Sequence, residues 1–152
     1  MKTLTRTIYR RHSRQGGVAA VEFALIASVF FMLLIGIMEM GRILFYWNSA
    51  AEATRLGARM AVVCDLNTAE IKVRMQAMLS ILPTNKINIG YTPAGCDVSN
   101  CQSATVSIGA GVPVTTFIPF VPLTLTLPPF STTLPRESML STVGGIANPM
   151  CN

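Results

Sequence analysis

The stretch Gln15-Gly16-Gly17-Val18-Ala19-Ala20-Val21-Glu22-Phe23 places one carboxylate at the start of an apolar run that continues without further charge to Met38. Segments that cross a bilayer avoid charge, because a carboxylate at the membrane centre costs about 2.5–3.5 kcal/mol on insertion scales. Glu22 is therefore a candidate functional residue. The glycine pair before it disfavours helix by about 1 kcal/mol per residue relative to alanine. We therefore expect the backbone around the Gly17–Val18 bond to be extended and not helical.

Residues 18–38 are predicted to cross a membrane once, as a helix. The segment has 21 residues, which is about 31 Å of helix, and the hydrocarbon core of a bilayer is about 30 Å thick. The mean hydropathy of the chain, +0.49, also favours a membrane segment followed by one small domain. The alternative is a cleaved secretory signal, although its apolar core usually has only about 7–15 residues. A small-residue site at residues 48–51 keeps this alternative open.

Positive charge is concentrated ahead of the predicted span. The net charge of the chain is +5, and the residues before Gly17 hold five basic side chains and no acid. These basic residues are Lys2, Arg6, Arg10, Arg11 and Arg14. The seven Lys and Arg residues after Gly17 balance the seven Asp and Glu residues, so no basic face for nucleic acid is expected on a folded domain. Residues 1–17 are predicted to stay in the cytoplasm, with the chain after the span exported.

Four cysteines follow the span, on the side expected to be oxidising. Three pairings are possible, and we favour Cys96 with Cys101 and Cys64 with Cys151. One disulfide with two buried thiols is the alternative. A zinc site is less favoured, because the chain has no C-x-x-C motif and its only histidine, His12, precedes the span.

No motif points to catalysis or to a cofactor. The chain has no H-E-x-x-H or G-x-S-x-G sequence, and Gly109 and Gly111 lack the third glycine of a dinucleotide-binding loop. A histidine-dependent active site in the exported part is excluded, since His12 lies in the basic segment. We therefore expect no enzyme activity, no catalytic residue, no cofactor and no bound metal.

The predicted helix continues past the span as an amphipathic extension over residues 39–64. No proline interrupts it, and one stripe of mostly small or apolar residues recurs every three or four positions. The stripe consists of Ile43, Trp47, Ala50, Thr54, Gly57 and Ala61. Glu52, Arg55 and Arg59 fall on the opposite face. The residues that mark the exit from the membrane are Glu39, Arg42, Tyr46 and Trp47.

Residues 65–152 are predicted to form a small α+β domain. Asn67 as N-cap and Glu70 three residues later predict a second helix that ends near Leu82, before Pro83. Alternating apolar residues then predict strands at 87–91, 104–108 and 123–127, and six prolines between residues 113 and 135 favour short edge strands. The predicted fold is α+β: a long N-terminal helix packed on a small domain with a second helix and an antiparallel sheet.

The most apolar stretch outside the span is Phe117-Ile118-Pro119-Phe120-Val121-Pro122. We expect these residues to cover the apolar stripe of the long helix. A docking tip or a tip that contacts the membrane is the alternative.

Two parts of the sequence resemble known pilin-like proteins. The basic segment, the Gly17–Val18 junction, Glu22 at the fifth position after it and Phe23 resemble the cleavage and assembly signal of type IV prepilins. Residues 16–62, including Gly-Gly-Val-Ala-Ala-Val-Glu-Phe and Gly57-Ala58-Arg59, resemble the TadE-like family of pseudopilins. The run from Thr116 to Glu137 resembles the C-terminal half of that family less specifically. Ser28, where many relatives have proline, and residues 53–56 depart from the family pattern.

The resemblance implies a minor pilin or pseudopilin of the tight-adherence (Flp, type IVc) pilus. A prepilin peptidase would cut after Gly17, Val18 would become the new N-terminus, and Glu22 would be the assembly carboxylate. The implied partners are this peptidase, other pilins, the inner-membrane assembly platform and membrane lipid. The chain would sit in the inner membrane, or enter the filament, with residues 65–152 in the periplasm. The alternative is a signal-anchored or secreted binding or adhesin module that ordinary signal peptidase processes.

Overall fold

The structure is a computed structural model that describes residues 16–117 and 123–151. It divides into two compact units, Met1–Ile37 and Met38–Asn152. The helices are α1 (Gly16–Val63) and α2 (Ala69–Met78), with a 3₁₀ turn at Thr84–Lys86. The strands are β1 (Ile87–Thr92), β2 (Ser103–Ile108), β3 (Val112–Thr115), β4 (Thr124–Leu127), β5 (Phe130–Pro135), β6 (Thr142–Val143) and β7 (Ile146–Ala147). The predicted α+β class with a long N-terminal helix is confirmed.

The described part of the first unit is helix with apolar side chains on every face. Of residues 17–37 only Ala27 is even half-buried, and the exposed residues include Phe23, Phe30 and Phe31. A helix that is apolar all round is typical of a membrane span or of the centre of a large protein. Among the described residues, α1 is the one helix long and apolar enough to cross a membrane.

In the second unit, the later part of α1 has one buried face. Ala50, Thr54, Gly57 and Ala61 of the predicted stripe are buried, and the predicted opposite face is exposed. The buried face is wider than the stripe, since it also contains Ala53, Ala58, Met60 and Val62. Trp47 was wrongly assigned to it, because this side chain is 42% exposed. Spacings of three and four residues do not determine which of two adjacent positions faces the core. Here the small side chains of Ala50 and Ala53 are buried, and the large ring of Trp47 is not.

The predicted start and end of the second helix were wrong. Asn67 is not its N-cap: Thr68 holds that position without a side-chain hydrogen bond, and Asn67 has a φ of 58°. Asparagine tolerates this left-handed conformation, and its N–H donates to the Tyr91 hydroxyl at 3.1 Å. The helix ends at Met78, four residues before Leu82. Leu79 and Leu82 are both buried by the turn that follows.

Within the described residues, the strands form three small antiparallel sheets. One has the order β1-β2-β5, and the other two are the hairpins β3-β4 and β6-β7. The three predicted strand segments fall on β1, β2 and β4, whereas β3, β5 and the β6-β7 hairpin were missed. Strand β3 carries Pro113, which lacks the N–H of a ladder, and no residue of β5 is fully buried. In β3 the alternation of Val112 and Val114 is only four residues long and contains a proline, and in β5 no residue is fully buried, so neither strand gives a strong strand signal.

The core lies between α1, α2 and the central strand β2. Every second residue of β2 is fully buried, namely Ala104, Val106 and Ile108. Gly57 of α1 brings the backbone close to both neighbours, because a Cβ at this position would lie 2.6 Å from Met75 Sδ and 3.0 Å from Val106 Cγ1. The small residues of α1 thus allow α2 and β2 to approach the helix.

We expect Gly57→Ala to lower the free energy of unfolding relative to Gly41→Ala. Both changes gain the same helix propensity, about 1 kcal/mol, but no heavy atom lies within 4 Å of a Cβ at Gly41. Overpacking costs about 1–3 kcal/mol, so the two variants should differ by about that amount. Chemical denaturation of the full chain in detergent micelles measures the difference, and equal stabilities would contradict the close packing at Gly57.

Candidate functional site

The predicted cleavage position lies in the first turn of α1. The helix begins at Gly16, so the expectation that the glycine pair holds the bond after Gly17 extended was wrong. Propagation of a long apolar helix extends through two glycines at its end, since each costs only about 1 kcal/mol. No heavy atom lies within 4 Å of a Cβ built at Gly17, and Val18 is 71% exposed. Most of the predicted basic leader lies outside the described residues.

Glu22 lies on the same face of α1 as Val18. Residues four apart are neighbours on a helix surface, and the Glu22 side chain is exposed. Among the described residues, no hydrogen bond or ion pair reaches its carboxylate. The helix therefore presents, near its start, one acidic group surrounded by apolar side chains.

A second polar site lies on α1, directly after the predicted span. The Glu39 side chain is buried, with the residue only 8% exposed. Its Oε2 accepts hydrogen bonds from Arg42 Nη2 at 2.8 Å and Nε at 3.3 Å. Its Oε1 accepts a hydrogen bond from the Phe117 N–H at 2.9 Å. Arg42 Nη2 also donates to the Thr115 carbonyl at the end of β3. We call these four residues, Glu39, Arg42, Thr115 and Phe117, the helix clasp.

The aromatic ring of Phe117 completes the clasp. The Arg42 Cζ lies 4.6 Å from the centre of this ring and 5.7 Å from that of Tyr46. A guanidinium within about 6 Å of an aromatic face is attracted to it. The clasp thus joins α1 to the end of β3 by a charge pair, two main-chain contacts and one stacked ring.

Both charges of the clasp are favoured by their surroundings. The hydrogen bond from Arg42 lowers the pKa of the Glu39 carboxyl, and the bond from the Phe117 N–H lowers it further. The Glu39 carboxylate in turn raises the pKa of the Arg42 guanidinium. The sequence analysis identified these two residues only as markers of the membrane exit. The sequence did contain an opposite-charge pair three residues apart on a predicted helix. The hydrogen-bond partner of Glu39 on the strand side, Phe117, is 78 residues away in sequence and could not be predicted from that spacing.

Two disulfides lie in the second unit. Cys64 pairs with Cys151 and Cys96 pairs with Cys101, with Cα–Cα distances of 5.5 and 5.0 Å. This is the arrangement that the sequence analysis favoured. The first disulfide joins the residue after α1 to the C-terminal segment. At the same end of α1, the N–H groups of Met139 and Leu140 donate to the carbonyls of Val62 and Val63 at 3.1 and 2.9 Å.

We expect the clasp to weaken at acid pH. Since the pKa of Glu39 is lowered in the folded chain, its contribution is present above the ordinary glutamate pKa and is lost as the pH falls below about 4. In Glu39→Gln the Phe117 amide should lose protection from hydrogen exchange at neutral pH, and the loss of protection that the wild type shows below the ordinary glutamate pKa should disappear. NMR exchange rates of the full chain in micelles, corrected for the intrinsic pH dependence, measure both effects.

Glu52→Gln is the matched control for this change. Glu52 pairs with Arg55 at the same spacing of three residues, but both side chains are more than half exposed. Exposed pairs of this kind contribute about 0–1 kcal/mol, so Phe117 protection should keep its wild-type pH profile. If Glu39→Gln also left that profile unchanged, the clasp would not hold the end of β3.

Residues 17–59 match the family model described as TadE-like protein. The match covers less than a third of the chain. It starts at Gly17 and includes Glu22, Glu39, Arg42 and Gly57. No curated protein and no solved structure matches this chain. The match is consistent with a TadE-like protein of the tight-adherence pilus system.

Proposed function

We propose that this chain is a minor pilin or pseudopilin that takes part in assembly of a tight-adherence pilus after cleavage between Gly17 and Val18. The observation that carries the proposal is the match of residues 17–59 to the TadE-like model. The match begins at the proposed cleavage position and includes the lone carboxylate of the apolar helix. The role is structural, with no chemistry performed by the chain itself.

The positions of Val18 and Glu22 on α1 suggest how cleavage leads to assembly. Hydrolysis after Gly17 creates an α-amino group on Val18, which is largely protonated at neutral pH. This positive charge would lie next to hydrocarbon, about 6 Å along the helix from Glu22 and on the same face. The Glu22 carboxylate can neutralise it within one chain or between neighbouring subunits. Pairing between subunits would fix how far one helix is shifted along the next.

Charge and disulfides support an orientation in the membrane. The five basic residues before Gly17 favour a cytoplasmic N-terminus. The two disulfides of the second unit fit an oxidising compartment such as the periplasm. We therefore propose a single-pass inner-membrane protein whose partners are a prepilin peptidase, other pilins and the assembly platform.

The geometry of α1 disfavours the alternative of a secreted module. Signal peptidase would cut near Ala51, in the middle of a continuous helix and beside Ala50, which is fully buried. Such a cut would also remove Glu39 and Arg42, and with them the contacts to β3 and Phe117. A cut after Gly17 leaves every described contact of the second unit intact.

Gly17→Leu is expected to block maturation, because a bulky side chain would enter the protease cleft at the scissile bond. Precursor should accumulate in the membrane, as measured by mass spectrometry of the N-terminus. Gly36→Leu is the matched control: no heavy atom lies within 4 Å of a Cβ at this position either, and it should mature normally. Normal maturation of Gly17→Leu at Val18 would refute a prepilin-peptidase cut. A wild-type start near Ala51 would support the secreted alternative, and a start at Met1 a plain signal anchor.

Glu22→Ala should spare insertion and cleavage but impair assembly. If Glu22 pairs with the amine of a neighbouring subunit, recovery of pilin partners by co-purification should fall about tenfold or more, since close interfacial charge pairs couple by roughly 1.5 kcal/mol or more. Glu52→Ala, at another exposed position of α1, should leave recovery unchanged. Unchanged recovery and normal piliation in Glu22→Ala would reduce Glu22 to a favourable charge near a helix N-terminus, worth about 0.3–1 kcal/mol.

A further inference from the structure

The helix clasp holds an exposed apolar surface next to the predicted membrane exit. Phe117 is 76% exposed although its backbone N–H and its ring are both held by the clasp. Leu123 is also exposed, and it lies opposite Thr116: the Thr116 N–H donates to the Leu123 carbonyl at 3.1 Å. Met38, 74% exposed, precedes Arg42 by one helical turn. We call Met38, Phe117 and Leu123 the interface patch.

The chain segment that carries Phe117 and Leu123 has no charged side chain in its sequence. Residues 112–127, which contain β3, β4 and the connection between them, include no Asp, Glu, Lys, Arg or His. The charged side chains that contact Phe117 are Glu39 and Arg42, which bond to each other and to main-chain atoms. Both charged groups of the clasp therefore have hydrogen-bond partners inside the molecule. A large exposed ring beside a satisfied ion pair is suited to an apolar environment rather than to water.

The position of the clasp along α1 determines what that environment is. If the span ends at Met38, Glu39 and Arg42 lie about 1.5–6 Å beyond the hydrocarbon core along the helix. The headgroup region on each side of a bilayer is about 5–7 Å thick. Phe117 is hydrogen-bonded to Glu39, so it lies at this same depth, where aromatic side chains of membrane proteins are concentrated.

We propose that the interface patch is a second membrane contact, in which Phe117 and Leu123 enter the lipid interface of the bilayer that α1 crosses. The occupant of the patch is lipid, because Met38 is the last residue of the predicted span and the segment that carries Phe117 and Leu123 has no charged side chain to offer a protein partner. The proposal rests on the proposed function in one respect, the membrane anchoring by residues 18–38. It adds that Phe117 and Leu123, which follow β3 and precede β4, also contact the membrane.

The exposed apolar residues of the β6-β7 hairpin are a natural comparison. Val143 and Ile146 are as exposed as the patch, but the segment before them bonds to Val62 and Val63 at the other end of α1. Val63 is 21 residues after Arg42, which is about 32 Å along the helix. Lipid contact is therefore expected at Phe117 and not at Val143.

Depth-dependent fluorescence quenching tests this contact. The only tryptophan of the chain, Trp47, is replaced by phenylalanine, and a single reporter is introduced as Phe117→Trp, Val143→Trp or Phe31→Trp. All three sites are exposed, so the ring is tolerated. Each full-length protein is reconstituted in vesicles of phosphatidylethanolamine and phosphatidylglycerol that contain phosphatidylcholine brominated at a shallow or a deep acyl position.

The proposal expects the Phe117→Trp reporter to lose most of its emission with shallow bromolipid and much less with deep bromolipid. The Val143→Trp reporter should be quenched by neither lipid. The Phe31→Trp reporter, inside the predicted span, should be quenched by deep bromolipid. If deep bromolipid does not quench the Phe31→Trp reporter, this result is sufficient to overturn the membrane anchoring and hence the proposed function.

Quenching at Phe31→Trp without quenching at Phe117→Trp would overturn the interface patch and leave the anchoring intact. If the Phe117→Trp emission is then blue-shifted and insensitive to iodide, the patch is covered by protein, such as a second copy of the chain. If iodide quenches it, the patch faces water. Both results contradict a lipid contact.

Discussion

The structure depends on one constraint: α1 is a single continuous helix whose side chains require two different environments. Its first part is apolar on every face, and no other described element of the chain covers those side chains. Its later part has one face of small residues, several of them fully buried, and an opposite face with Glu52, Arg55 and Arg59. Glu39 and Arg42 stand where the pattern changes. They are the first charged residues after Glu22 in the chain. They pair with each other and hydrogen-bond to the main chain of Thr115 and Phe117.

The sequence predicts what is local to α1 and fails where a distant residue decides. The small residues Ala50, Thr54, Gly57 and Ala61 repeat at helical spacing and all four are buried, although Trp47 at the same spacing is not. The start of α2 does not follow from the local sequence, because the Asn67 N–H donates a hydrogen bond to the hydroxyl of Tyr91 in β1, 24 residues later. Strand β5 is likewise held by contacts that are invisible in its own sequence, such as the 3.0 Å hydrogen bond between Thr132 and Thr54 of α1.

The two parts of the candidate site differ in the same way. Gly17, Val18 and Glu22 could be identified as candidates from the sequence because the pattern that they form is defined by spacing within one short segment. The clasp joins Glu39 and Arg42 to Thr115 and Phe117, and no periodicity connects a helix residue with a backbone N–H at the end of a strand. The sequence analysis expected Phe117 and the residues after it to cover the apolar stripe of the helix. Phe117 instead stacks on Arg42 with most of its ring exposed, and residues 118–122 lie outside the described part of the chain.

The disulfide between Cys64 and Cys151 has a mechanical consequence. It links the end of α1 covalently to the C-terminal segment and bypasses the 87-position separation between the two cysteines. A pull on the C-terminus of the second unit therefore reaches α1 through one sulfur–sulfur bond, and neither the sheets nor α2 carries it in series. Strand pairs yield by breaking hydrogen bonds one after another, but a covalent tie does not. In a subunit held by its helix, tension would leave the fold of the small domain unloaded.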